Sequence, residues 1–109
     1  MKLGGFSAGT TDWSQIPPSV SPGTSATATA RMRQFGDLQL RLIEYSAGYV
    51  ADHWCSKGHI VFVVSGQIAI EHQDGSRYAV MSGMSYQVSD SGPAHRLLSS
   101  GGATIFVVD

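Results

Sequence analysis

Apolar and polar residues alternate at every second position over much of this chain, and no stretch sustains a period near 3.6. That pattern restricts the backbone to strands with one buried face. Leu38, Leu40 and Leu42 interleave with Gln39 and Arg41, which predicts a strand burying its leucines. "HIVFVV", from His59 to Val64, contains an uninterrupted apolar run, as expected for a strand covered on both sides. The "SGQ" that follows predicts a tight turn into a second strand, "IAIEH". If these two strands form a hairpin about Ser65 and Gly66, Val64 pairs with Gln67 and His72 stands opposite His59. "QDGS" predicts a hairpin turn through Asp74 and Gly75, where glycine accepts the positive φ such turns need. "RYAVMSGMSYQV" supplies further short strands broken at Gly83, and "ATIFVVD" another. With 13 glycines punctuating the strands, the expectation is an all-β sandwich or barrel.

Residues 1–30 differ in composition. "IPPSVSPGTSATATA" is rich in Pro, Ser, Thr and Ala and predicts an extended N-terminal arm, with Trp13 and Ile16 apolar enough to dock on the body. The barrel domain is then expected over residues 31–109. A chain of 109 residues forms one such domain and one core.

Charge narrows the partners. The net charge is −1 and no lysine or arginine stripe exists to neutralise phosphates, so neither nucleic acid nor an anionic membrane surface is an expected partner. The segment "MKLGGFSAGTTDWSQ" has no apolar stretch, and the run Ile60 to Val64 is strand-sized. A single cysteine, Cys55, fits a reducing compartment, and a cytoplasmic location is expected.

The chemistry concentrates in "DHWCSKGH", Asp52 to His59. On a strand, residues two apart share a face, so His53 and Cys55 would project together. "SKG" allows a turn that returns His59 beside them, and "GPAHR" places His95 after a Gly-Pro turn that can feed a side chain into a barrel. Three imidazoles and a thiolate form a tetrahedral set suited to zinc. The soft thiolate favours zinc or copper(I) over manganese, and the imidazoles also accommodate iron or nickel.

The segment His53 to Gly66 resembles the first motif of the cupins, His-x-His-x(3,4)-Glu-x(6)-Gly. His53 falls at the first histidine, Cys55 at the second, His59 at the glutamate and Gly66 at the closing glycine. The second motif, Gly-x(5)-Pro-x-Gly-x(2)-His, is matched loosely from Gly83 to His95, with Ser89 at the proline position and one extra residue before Gly92. "DHWCSKGH" together with "SYQVSD" is similar, more narrowly, to the small single-domain cupins grouped under a DHCW-motif label, although the order here is Asp-His-Trp-Cys. The resemblance covers residues 31 to 109. It implies a double-stranded β-helix, that is, a jelly-roll barrel, with one metal held inside by His53, Cys55, His59 and His95. It also implies a homodimer, since exposed sheet edges and the arm favour strand exchange or edge pairing.

Other residues have weaker claims. His72 shares parity with Ile68 and Ile70, and is either a cavity-facing ligand or proton donor, or a strand-end histidine in water. Tyr86 shares parity with Met84 and Val88 and is a pocket wall with a hydroxyl to offer, or simply core. Asp52 reads as a loop partner that could orient an imidazole. Arg96 is a rim charge or a clamp for a carboxylate substrate. Two functions follow: a metalloenzyme acting on a small molecule, with Tyr86 and His72 positioning it, or a non-catalytic module whose metal is coordinatively full.

Overall fold

β-Branched and aromatic residues at alternate positions build nine strands in the computed structural model, which describes residues 3–109. They are β1 (Ser19–Pro22), β2 (Thr27–Phe35), β3 (Leu38–Tyr45), β4 (Tyr49–Val50), β5 (His59–His72), β6 (Arg77–Met81), β7 (Ser85–Val88), β8 (His95–Ser99) and β9 (Ala103–Val108). Among the described residues the helical content is one 3-10 turn, Trp13–Gln15, capped by Asp12, whose carboxylate accepts from the Ser14 N–H and hydroxyl. No described helix is long and apolar enough to cross a membrane.

The strands pair antiparallel in the order β1-β2-β3-β9-β5-β8-β4, with β6 and β7 also on β5. β5 belongs to both layers: its first half pairs with β7 and β9, its second with β6 and β8. The sheet curls until a bridge between Ser25 and Val50 joins its two ends, so the architecture is a closed jelly-roll barrel. The core is the inward face of this curl, with Val63, Ile68, Ile70 and Ile105 all at 2% exposure or less. Burying each such side chain contributes about 1.5–3 kcal/mol.

"SGQ" does not turn. Ser65 and Gly66 continue β5 and pair with Thr104 and Ala103, with a bulge after Val63. Gly66 is required there: its φ is +78°, and a Cβ would lie 2.4 Å from the Gly102 carbonyl oxygen. The predicted register fails with the turn, because His72 pairs opposite His95 and not His59. The hairpin at Asp74 and Gly75 forms as expected, with the Gly75 N–H donating to the His72 carbonyl.

Burial on β3 and β5 also departs from the simplest reading. Ile60, Phe62 and Val64 are 46%, 45% and 49% exposed while Val61 and Val63 are buried, so the apolar run has one open face. On β3 the cavity side carries Arg41, Ile43 and Tyr45, whereas Leu40 and Leu42 point outward beneath the N-terminal segment. That segment docks through Trp13, edge-on to Phe106 at 5.7 Å, and through Arg31 and Arg33, which donate to the Ile16 carbonyl and the Thr11 hydroxyl. Leucine on this strand therefore marks the face sheltered by the segment, and an arginine faces the cavity. Strand pairing begins upstream of Arg31, since Thr27 to Ala30 extend β2 and Ser19 to Pro22 pair with them. Thr and Ala alternation serves a strand edge as well as a loop, which is why composition alone suggested only an extended arm.

Candidate metal centre and cavity

Three strand positions place reactive side chains in a row. Cys55 forms an isolated bridge with His95, their backbones exchanging hydrogen bonds of 2.7 and 2.9 Å, and His95 pairs across β8 and β5 with His72. Directly opposed residues share a face, so all three side chains project to the same side of the sheet. His59, first residue of β5, meets them from the adjoining layer. Cys55, His59 and His95 thereby form a group whose ligand atoms lie within 4.8 Å of one another.

The tautomers of the two histidines follow from their partners. His95 Nδ1 lies 3.1 Å from the Pro93 carbonyl, and His59 Nδ1 lies 3.4 Å from the Asp109 carboxylate. Both acceptors can only accept, so both Nδ1 atoms carry the hydrogen and both Nε2 lone pairs are bare. Those two Nε2 atoms face each other at 2.7 Å. Two lone pairs at that distance repel unless a cation lies between them. Burial, and then the charge of His95, lower the pKa of His59 below its ordinary value, which disfavours a proton on that ring. A transition metal suits the donor set, two imidazole nitrogens and one thiolate sulfur. Donors on one tetrahedral zinc stand about 3.3 Å apart for Zn–N bonds of about 2.0–2.1 Å, so the rings would open by roughly half an ångström.

The fourth expected ligand, His53, is not brought into the group. Residues 51–54 bend instead of running as a strand, so the two-residue spacing to Cys55 does not align their side chains. The His53 side chain is 77% exposed at the cavity mouth and donates Nδ1–H to Asp52 at 2.7 Å. Asp52 thus orients an imidazole, as one of its readings allowed.

His72 and Tyr86 are buried behind His95 and belong to a different chain of contacts. The Tyr86 hydroxyl donates to His72 Nε2 at 2.7 Å, His72 Nδ1–H donates to Ser76 Oγ at 3.2 Å, and the Ser76 hydroxyl donates to Asp74 at 2.6 Å. Both His72 nitrogens are engaged, which removes it as a fifth ligand in this conformation. Tyr86 packs 5.9 Å from the His95 ring, and its pKa is raised by burial and by the neighbouring Tyr78. Met84, of the same parity, is exposed.

A cavity of about 250 Å³ opens beside the metal group, lined by Cys55, His59 and His95, by the aliphatic side chains of Ile43, Val61, Ile70, Ile105 and Val107, and by Tyr45 and Tyr49. Burial strongly raises the pKa of Tyr45, so its phenol keeps its proton. Ala28 and Ala30 on β2 leave the space that larger residues would fill. Arg96 is held at 2.8 and 3.1 Å by Glu71 and stacks 4.7 Å over Trp54, which commits it as a rim group. Two residues the sequence did not single out complete the site. Asp109, with its side chain 1% exposed, accepts from His59 and from Arg41 Nη2 at 2.9 Å, and Lys57 approaches it at 3.7 Å. The signal for Arg41 was its parity with Ile43 and Tyr45.

No family model matches the sequence, and no curated relative does either. Solved structures do match. A cupin-superfamily sugar phosphate isomerase from Silicibacter pomeroyi superposes with a TM-score of 0.69 at 15% identity, over 92% of this chain and 74% of its own. A cupin domain from Bordetella pertussis gives 0.59 at 17% identity, over 81% and 93%. A cupin-2 domain-containing protein from Shewanella frigidimarina gives 0.61 at 17% identity, over 73% and 78%. These likenesses carry the architecture and do not reach the narrower DHCW-motif grouping. With its strand order, its closed barrel and its inward histidines on β5 and β8, the chain has the cupin fold.

Proposed function

We propose that this chain is a metal-dependent cupin acting on a small molecule in its barrel cavity, with Cys55, His59 and His95 holding one transition metal, zinc by preference. The observation that carries this reading is the pair of bare Nε2 atoms facing each other at 2.7 Å, each fixed in its tautomer by an acceptor on the far side of the ring. Three protein donors are the complement of catalytic zinc sites, which keep a further position for water or substrate. A bound metal would supply Lewis acidity at the cavity wall. The chain's own residues do the rest: the aliphatic wall excludes water, and Asp109 and the Pro93 carbonyl hold the ligand rings. Tyr45 and Tyr49 line the same cavity, with burial raising the pKa of both phenols. The thiolate must stay reduced to serve as ligand, consistent with a cytoplasmic setting.

A second reading keeps the metal and removes the reaction. His53 stands at the cavity mouth, and its donation to Asp52 leaves Nε2 as a free donor; swung inward, it would make a full, structural four-ligand site. Cobalt substitution separates the two. A three-ligand site is expected to show a thiolate charge-transfer band that disappears in Cys55→Ser and is unchanged in His53→Ala. A spectrum altered by His53→Ala would establish the closed site, and cobalt-loaded protein lacking the thiolate band would remove Cys55 from the set.

We further propose pairing with a second copy through the outer face of β5, where Ile60, Phe62 and Val64 form an exposed apolar row with Met84 close by in sequence to β7. Phe62→Lys is expected to convert a dimer to monomer in sedimentation equilibrium. A wild-type monomer, or a variant that remains dimeric, would overturn this.

A further inference from the structure

We infer that the cavity takes a small organic carboxylate, anchored by the Arg41 guanidinium beside the Cys55, His59 and His95 group. The inference names the ligand class for the site proposed above and rests on that reading only for what the other end of the ligand meets.

Arg41 sits on the inward face of β3, opposite the buried Val107, and lines a cavity whose walls are otherwise mostly aliphatic. A guanidinium offers five N–H donors in one plane. One nitrogen, Nη2, is held by Asp109 and Nε is sealed in the wall, while Nη1 has no hydrogen-bond partner among the described residues and the side chain stays 29% exposed. An acceptor arriving from the cavity is offered the accessible, unpaired N–H groups of Nη1, and a hydrogen bond from a charged donor is worth more than a neutral one. A carboxylate is the acceptor that matches the planar fork in shape and charge.

Arg41 meets Asp109 through Nη2 alone, so the accessible remainder of its fork is open to a second carboxylate. Arg96, the other guanidinium at the cavity, is already neutralised by Glu71. At about 250 Å³ the space falls below the roughly 300–1,000 Å³ typical of pockets for drug-sized ligands, which fits an acid of a few carbons with an apolar body. Asp109 joins Arg41 to His59, so an acid seated on Arg41 extends directly toward the metal group.

The test is calorimetric titration of a panel of straight-chain mono- and dicarboxylates of two to six carbons, with the matching amides, into zinc-loaded and chelator-stripped protein, with metal content measured in parallel. At least one acid is expected to bind at least tenfold more tightly than its amide. Arg41→Gln is expected to abolish that preference while the metal content stays unchanged. Because this substitution orphans Asp109, Arg41→Gln/Asp109→Asn serves as a charge-matched control, with folding checked by circular dichroism. Amides binding as well as acids, no acid binding at all, or a folded Arg41→Gln protein retaining the preference would overturn the inference. Arg41-dependent acid binding by a protein that never takes up metal would sustain it while removing the metal reading, so the two fail separately.

Discussion

His95→Ala is expected to strip the metal centre, lowering metal affinity by more than about 100-fold, since losing even a group that only orients a ligand typically costs about 10–100-fold. The backbone bridge between Cys55 and His95 does not depend on the imidazole, so the strand pairing should survive the truncation. What disappears is one of the two facing Nε2 donors, and with it the reason for a cation to sit there. His53→Ala, measured beside it, should leave the affinity within a few-fold of wild type, because His53 is solvent-exposed and held by Asp52. Elemental analysis and competition with a chromogenic chelator read both numbers. Equal losses in the two variants would mean that the mouth histidine closes onto the metal, and no loss in His95→Ala would dismiss the centre.

The second large effect is on stability. Ile105 is 1% exposed and lies across β9 from Ile43 on one side and Val63 on the other, so it joins three adjacent strands of one layer. Ile105→Ala should cost about 2–5 kcal/mol, through lost burial and the cavity left behind. Against a total stability of about 5–15 kcal/mol for a domain of this kind, that is a large fraction. Urea unfolding should show a lower midpoint at an unchanged m-value. A loss under about 1 kcal/mol would mean that neighbouring side chains collapse into the space, a softer core than these burials describe.

Much of the fold was legible because strand periodicity survives in any context that buries one face. The hairpin at Asp74 and Gly75 and the closing strand from Ala103 needed nothing beyond local pattern. The bulge at Gly66 was not legible, because "SGQ" has turn composition whether a chain reverses or bends between layers, and only the pairing partner decides. The same error displaced His72 from His95 to His59. At the site, residue types, spacing and the motif resemblance together pointed to Cys55, His59 and His95, whose side chains the fold groups. His53 separated from them because a two-residue spacing aligns side chains only on a regular strand, and the chain bends there. Arg41 and Asp109 escaped notice since each reads as an ordinary solvated charge, and their burial is a property of the closed barrel. Trp13 and Ile16 explain the leucines of β3: those residues report a cover lying far upstream.

Strand order also has a consequence during synthesis. β9 lies between β3 and β5, although about thirty residues separate it from the end of β5 in sequence. While a ribosome is still making that interval, the growing chain presents β3 and β5 with unsatisfied edges and their apolar residues uncovered. Such edges invite pairing with other nascent chains. The insertion of Ala103–Val108 both seals those edges and brings Asp109 beside His59, so metal capture should follow the docking of β9.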